Sequence, residues 1–194
     1  MSKLDKLIKF SNLLNDFRKV ERAMRAHGEE RRENDVEHSY QLAMLAWFLA
    51  VETNADLDIN LVIKYAMIHD FVEVYAGDTD VFTKDKGERD SKEKREREAA
   101  VRLQKEFPEF EELHGLILRY NEHSDNESRF VYALDKVHPI LNIYADGGRT
   151  WRERGITIDM LVTYKKDKVA VSPEIKFYFD ELIELLTREE NKLF

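Results

Sequence analysis

The 194-residue chain carries 39 Asp plus Glu against 31 Lys plus Arg, a formal net charge of −8, which argues against a surface built to neutralise a nucleic-acid backbone. It has no cysteine, so disulfides and thiolate metal sites are excluded. The longest apolar run, Leu42 to Val51, is ten residues, too short to span a bilayer, and no signal-type segment opens the chain, so a soluble cytoplasmic protein with no membrane partner is expected. Three prolines and seven glycines are too few to punctuate many short strands or several domains, and one all-α domain of about six to eight helices is expected.

From Lys3 to Met24 the apolar positions Leu4, Leu7, Ile8, Leu14, Phe17 and Val20 recur roughly every three or four residues, the period of an amphipathic helix. The polar stretch His27 to Asp35 reads as a loop. Val36 to Val51 is apolar around most of its circumference, which predicts a buried helix. Leu57 to Tyr75 has the same character, with Gly77 marking its end. Thr79 to Asp90 is charged and turn-rich. Ser91 then starts a helix whose apolar face is Ala99, Ala100, Leu103 and Phe107, whose Lys92 to Glu98 run is a solvated face, and which Pro108 interrupts. Glu109 to His123 and Glu127 to Tyr144 read as two further helices, the second closed by Gly147-Gly148. Ile158 to Lys166 fits a short helix or a strand equally, and Pro173 to Arg188 is a terminal helix with Pro in its first turn. Trp47 and Trp151 are read as core or interface residues, and no internal repeat or low-complexity linker divides the chain.

A His-Asp pair, His69-Asp70, inside an apolar helix is hard to explain by packing, because imidazole nitrogen and carboxylate oxygen are ligands for a divalent cation. On a continuous helix Glu73, at i+4 from His69 and i+3 from Asp70, faces the same side. It suits a further ligand or, the favoured role, a general base that polarises water. His38 sits at the start of a different predicted helix. Asp135 lies on a third, among Phe130, Val131, Ala133, Leu134 and Val137, where a carboxylate is costly unless it is paired or bound to a metal. Two histidines and two aspartates from three helices make a four-ligand cation site of the kind helical bundles build.

Taken in order, Glu33-Asn34-x-x-Glu37-His38-Ser39, then His69-Asp70-x-x-Glu73-x-x-x-Gly77-Asp78, then Asp135 resemble the successive motifs of the HD-domain phosphohydrolases, and within them the 5'-deoxynucleotidase group. The resemblance runs from about Val20 to about Tyr144. It implies a single HD domain over residues 1–194, a helical bundle on which C-terminal helices at 156–190 pack. It further implies one divalent metal ion (Mn, Co, Mg, Ni, Fe or Zn) held by His38, His69, Asp70 and Asp135, with Glu73 assisting the attacking water. Asp78 would lie near the sugar hydroxyl and Arg22, 16 residues before His38, would contact the phosphate, with Arg25, Arg31 and Arg32 as neighbouring candidates. The tryptophan that follows this arginine in the bacterial deoxynucleotidases, and helps favour deoxyribose, is matched here by Ala23.

The implied activity is hydrolysis of the phosphate monoester of a nucleoside 5'-monophosphate, in a chain with no nucleic-acid partner and, since relatives are often dimers, with a homodimer allowed. Two alternatives are hydrolysis of a nucleoside triphosphate or guanosine alarmone, and a non-catalytic nucleotide-sensing module. Alarmone hydrolases carry a Glu-Asp pair after the His-Asp helix where this chain has Glu73-Val74, and degenerate sensors usually lack a ligand that this chain retains. His138, at i+3 from Asp135, is read as a satisfied core histidine, and His27, His114 and His123 as surface residues. Gly147-Gly148-Arg149-Thr150-Trp151 resembles a turn of some HD hydrolases and carries no assigned role.

Overall fold

Ser2 and Asp5 begin the chain by capping each other: the Asp5 amide donates to Ser2 Oγ at 3.0 Å and the Ser2 amide to Asp5 Oδ2 at 2.8 Å, satisfying orphan donors of a first helix turn. In a computed structural model, which describes residues 2–80, 82–83 and 86–194, that helix is α1 (Lys3–Phe17). It is followed by strands β1 (Glu21–Arg25) and β2 (Arg32–Asn34) and helices α2 (Asp35–Glu52), α3 (Ile59–Ile68), α4 (Glu73–Ala76), α5 (Lys86–Glu106), α6 (Glu111–Asn121) and α7 (Asn126–Ala145). Helices α8 (Arg149–Arg154), α9 (Ile158–Val169), α10 (Pro173–Arg188) and α11 (Glu190–Leu193) complete the order. Eight of these helices have ten residues or more, in keeping with the all-α expectation. No described helix is long and apolar enough to cross a membrane.

Four segments depart from the expected elements. The first helix stops at Phe17, and Glu21–Arg25 pairs antiparallel with Arg32–Asn34, a stretch expected to be loop. Arg22 and Met24, two apart on β1, point inward together, Met24 into the main core and Arg22 onto the acids of the site. A second departure is helix α2. Its Leu42, Ala46, Leu49 and Ala50 are buried, yet Val36, Tyr40, Met44, Trp47, Phe48 and Val51 are exposed along its other side. The third is the end of α3, where the expected helix breaks after Ile68 and resumes as the short α4. The fourth is α5, which starts at Lys86 inside the stretch expected to be turns; Val81, Lys84 and Asp85 of that stretch lie outside the described residues. The ambiguous Ile158–Val169 is helical, its first turn capped by Thr157 Oγ1, which accepts from the Met160 amide.

Two clusters of buried side chains hold the elements together. The larger joins α2, α3 and α7 to α9 and α10 through Leu42, Val62, Tyr65, Leu134, Leu161 and Ile175. The smaller is aromatic, with Phe17 on Phe71 at 5.2 Å and Phe10 on Phe107 at 5.4 Å between ring centroids, and it fixes α1 and α5 against the 69–72 turn. At the C-terminus the fully buried Trp151 stacks on Phe194 at 4.5 Å. Gly148, in the left-handed region at φ 77°, starts α8, and a Cβ there would overlap the Leu193 backbone. Gly115, within α6, has open space around it. Gly148→Ala is therefore expected to lower the unfolding free energy by about 2–3 kcal/mol, and Gly115→Ala to raise it by about 0.5–1 kcal/mol. Urea unfolding of the two variants checks both, and equal effects would contradict the packing described for Gly148.

Candidate metal centre

Asn34 sets the entry of the first histidine into the core. Its Oδ1 accepts from the amides of Val36 and Glu37 at 3.1 Å each, and Glu37 Oε2 accepts from the Asn34 amide at 3.1 Å. This capping box explains the Asn34-x-x-Glu37 spacing as helix initiation, with Glu37 also paired to Arg31 at 2.6 Å. One residue further on, His38 is fully buried. Its Nε2 lies 3.0 Å from Asp135 Oδ1 on α7.

The second histidine is placed by the break after α3. His69 Nδ1 lies 2.9 Å from the Ala66 carbonyl, the acceptor that the residue 70 amide would use if the helix continued, while the Phe71 amide bonds Ile68 O in a tighter turn. The hydrogen bond to Ala66 orients the ring and leaves Nε2 facing the site. That Nε2 is 3.0 Å from Asp70 Oδ2 and 3.6 Å from Asp135 Oδ1. Ligand atoms of His38, His69, Asp70 and Asp135 thus lie within 4.8 Å of one another, and those of Asp35, Asp70 and Glu73 form a second such group. Asp70 belongs to both. Because the helix is broken, Glu73 joins the second group rather than standing over His69 on one helix face, as a continuous helix would require.

Arg22 links the two. Its Nη1 donates to Asp70 Oδ2 at 2.8 Å and to Asp35 Oδ1 at 3.2 Å, and its Nε is 3.6 Å from Glu33 Oε2. The neighbouring arginines point elsewhere: Arg25 to Glu153, Arg31 to Glu29 and Glu37, Arg32 to the Ala23 carbonyl. Asp78 is half-buried on the loop after Gly77. That loop is tied to α5 by Arg95, which donates to Ala76 O and Thr79 Oγ1, and to α8 by the Arg154–Asp80 ion pair.

Burial, with Asp70 and Asp78 close by, raises the Glu73 carboxyl well above the usual range, partly opposed by Lys92 Nζ at 3.6 Å. Burial also pushes Glu33 and Asp35 up to about 7. Asp135 is buried, yet Lys136 Nζ at 2.5 Å and the two imidazoles hold it well below the ordinary range. Lys165 on α9 is buried with its Nζ donating to the Lys136 carbonyl at 2.5 Å, and burial beside Lys136 lowers it to about 7.

Most buried polar atoms find a partner, but here Arg22 Nε, Glu33 Oε2, Asp35 Oδ2, His38 Nδ1, His69 Nε2 and Glu73 Oε2 are buried without an aligned hydrogen bond. This concentration around two imidazoles and two carboxylates fits a borderline or hard divalent cation. A cavity opens beside it, lined by the polar side chains of Arg22, Asp78, Asp135, Lys136 and Lys165 and by the rings of Phe82, Trp151 and Tyr164. The residues expected from the sequence are all at or beside this cluster. Asp35, Lys136 and Lys165 carry no motif signal, although Lys136 beside Asp135 in an apolar helix is itself an anomaly. Lys92, expected on a solvated face, pairs with Glu96 at 3.3 Å but also turns toward Glu73. His138 is the core histidine expected, stacked on His38 at 4.9 Å and 3.2 Å from Gln41 Oε1. His114 and His123 are half-buried rather than on the surface, His114 against the Phe107 carbonyl at 2.8 Å and His123 on the Tyr132 ring.

A helical bundle that brings a histidine from one helix, a His-Asp pair from a second segment and an aspartate from a third onto one point defines the class. The chain belongs to the HD domain family, which it matches over residues 14–176. A predicted metal-dependent phosphohydrolase from Magnetospirillum magnetotacticum MS-1 is 30% identical, with a TM-score of 0.81 over 97% of each chain. The 5'-deoxynucleotidase HDDC2 of Bos taurus is 29% identical over 138 residues, 70% of this chain and 65% of the relative, so the match spans just under two thirds of the relative's length. An HD-domain phosphohydrolase from Listeria innocua, 18% identical with a TM-score of 0.66, shares the fold.

Removing the guanidinium leaves Asp35 and Asp70 without their shared cation. Arg22→Met is expected to destabilise the metal-free protein by about 2–4 kcal/mol, the range for a partly buried broken ion pair. Adding Asp35→Asn should recover part of that loss in urea unfolding. A double variant no more stable than Arg22→Met would sink the pairing.

Proposed function

We propose that this chain is a metal-dependent phosphohydrolase that cleaves the phosphate monoester of nucleoside 5'-monophosphates. The observation that carries the reading is the convergence of His38, His69, Asp70 and Asp135 beside a cavity that Arg22 and Asp78 also line. The 5'-deoxynucleotidase name of the Bos taurus relative supports the substrate class.

In this reading His38, His69, Asp70 and Asp135 hold one divalent ion, which when bound supplies Lewis acidity toward a phosphoryl oxygen and lowers the pKa of water. The remaining work falls to the protein's own groups. Glu73, with its raised proton affinity, takes the proton of the attacking water, and Lys92 keeps that affinity from rising further. Arg22 meets the charge spread over the phosphoryl oxygens, the dominant demand of phosphoryl transfer. Asp78, fixed by the loop ties to Arg95 and Arg154, accepts a sugar hydroxyl. Ala23 follows Arg22 on β1 and is among the residues that line the cavity, and ribose and deoxyribose are left to be separated by assay.

Purified protein given nucleoside monophosphates with Mn, Co, Mg or Ni is expected to release phosphate, and chelation is expected to stop it while leaving the helical content. Glu73→Ala should keep the metal, measured by elemental analysis, and lose about 10²- to 10⁴-fold in rate. No phosphate release with any metal would remove the reading. Pyrophosphate released from a guanosine alarmone, or triphosphate from a nucleoside triphosphate, would move it to the alternative substrates.

We propose also that a second copy of the chain packs on α2. A helix apolar all round belongs in a core, yet one side of α2 exposes three aromatic and three aliphatic side chains and the helix contains no Lys or Arg. These present on the order of 600 Å² of apolar surface, near the roughly 800 Å² per partner of a stable interface. Such an uncharged stripe is self-complementary about a two-fold axis. Light scattering should give a dimer for the wild type and a monomer for Trp47→Glu/Phe48→Glu, and a wild-type monomer at micromolar concentration would overturn this.

A further inference from the structure

Helix α9 lies beyond the stretch that carries the histidines and aspartates of the site, yet it delivers Lys165 to the same cavity. Lys165 is buried, with 6% of its surface exposed. Its ammonium has three donors and no acceptor, and its one hydrogen bond among the described residues is to the Lys136 carbonyl. No carboxylate pairs with it there. Asp135, the acid that favours its charge, is already bonded by Lys136 Nζ. A buried ammonium without a counter-charge is costly, and an apolar side chain of similar length would fill the space between α7 and α9 at less cost. The position therefore holds an ammonium for a reason that packing does not supply.

We propose that Lys165, together with Lys136, is a binding contact for a phosphoryl dianion in the cavity that also holds Arg22, Asp78 and Asp135. A dianion with three oxygens matches what the two lysines leave open, unused ammonium donors on two residues that line one shared cavity. The substrate's phosphoryl group and the released inorganic phosphate share this chemistry. The inference rests on the phosphohydrolase reading and adds to it a residue from α9, so that the C-terminal helices complete the substrate pocket rather than only buttress the bundle. Lys165 touches the anion in this assignment. A purely structural lysine tethering α9 to α7 would instead affect stability alone.

The test uses the full-length protein loaded with Mn, with inorganic phosphate as the probe. Calorimetry of phosphate binding, inhibition by phosphate, and KM and kcat for a nucleoside monophosphate are compared between wild type and Lys165→Met. Phosphate affinity is expected to fall at least tenfold and KM to rise by a similar factor, with Mn stoichiometry and inhibition by the phosphate-free nucleoside unchanged. Should Lys165→Met not fold, Lys165→Gln, which retains a donor for the Lys136 carbonyl without the charge, is expected to show the same loss. A folded variant that binds phosphate as the wild type does overturns the proposal. A wild type that hydrolyses monoesters while the variants bind phosphate normally removes this contact and leaves the activity standing. A wild type that neither hydrolyses a monoester nor binds phosphate removes both.

Discussion

The Arg22 guanidinium is the point on which the site turns, because it lets Asp35 and Glu33 be buried beside the half-buried Asp70. Ion pairs of this kind are poor stabilisers: taking the charges out of water costs about as much as their attraction returns, and apolar residues of equal volume usually do better. A fold that gathers Glu33, Asp35, Glu73 and Asp135 in its interior beside the half-buried Asp70 is therefore carrying charge for chemistry rather than for stability. The counter-charge present is incomplete. Burial pushes Glu33 and Asp35 to about 7, burial beside Asp70 raises Glu73 well above its ordinary range, and one oxygen of each is buried without a hydrogen bond. A divalent cation is the compact way to meet such an excess of acid, and the two imidazoles select a borderline or hard one over a thiophilic one.

That arrangement depends on a helix that fails to continue. Nothing in Ile68-His69-Asp70-Phe71-Val72 breaks a helix by propensity, since it contains neither Gly nor Pro. Two tertiary forces act on it instead. The His69 ring occupies the Ala66 carbonyl, and Phe71 and Val72 are drawn into the aromatic cluster of Phe10, Phe17 and Phe107. The turn re-aims Glu73 by relocating its backbone, which separates it from the His38 group while keeping Asp70 common to both. The aromatic cluster formed by α1 and α5 thus acts on the chemistry without touching it, through the geometry of four residues.

The helical periodicities were legible because most helices bury one face and expose the other, and Gly77 and Pro173 mark helix ends where residue type alone places them. The cation cluster was legible for a different reason: His69-Asp70 and Asp135 violate the apolar pattern around them, and violations of a local rule mark function. What could not be read were features decided by contacts distant in sequence. Glu21–Arg25 becomes a strand because Arg22 and Met24 have inward partners on other elements, a fact that its helix-like spacing of apolar residues conceals. Asp35 looks like an ordinary first-turn acid. Lys165 sits in Tyr164-Lys165-Lys166-Asp167-Lys168, where a charge run resembles a solvated face, and only the packing of α9 on α7 buries one member of it.

The global charge and the local charge of this protein have opposite signs of consequence for an anionic substrate, and distance decides between them. A net charge of −8 repels a phosphate monoester, but at physiological ionic strength that field is screened beyond about 8 Å. Inside the cavity the basic groups are Arg22, Lys136 and Lys165, set among Asp78 and Asp135, at contact range and behind low-dielectric walls formed by Trp151, Leu161 and Tyr164, where the same unit charge acts several-fold more strongly. On the proposed reading, a small phosphate ester that can enter meets this local set. A polyanion such as a nucleic acid would keep most of its phosphates outside, against a surface of net negative charge. On the phosphohydrolase reading proposed above, the acidic exterior and the placed cations of the cavity would together act as a filter on substrate size, favouring a small phosphate ester over a chain.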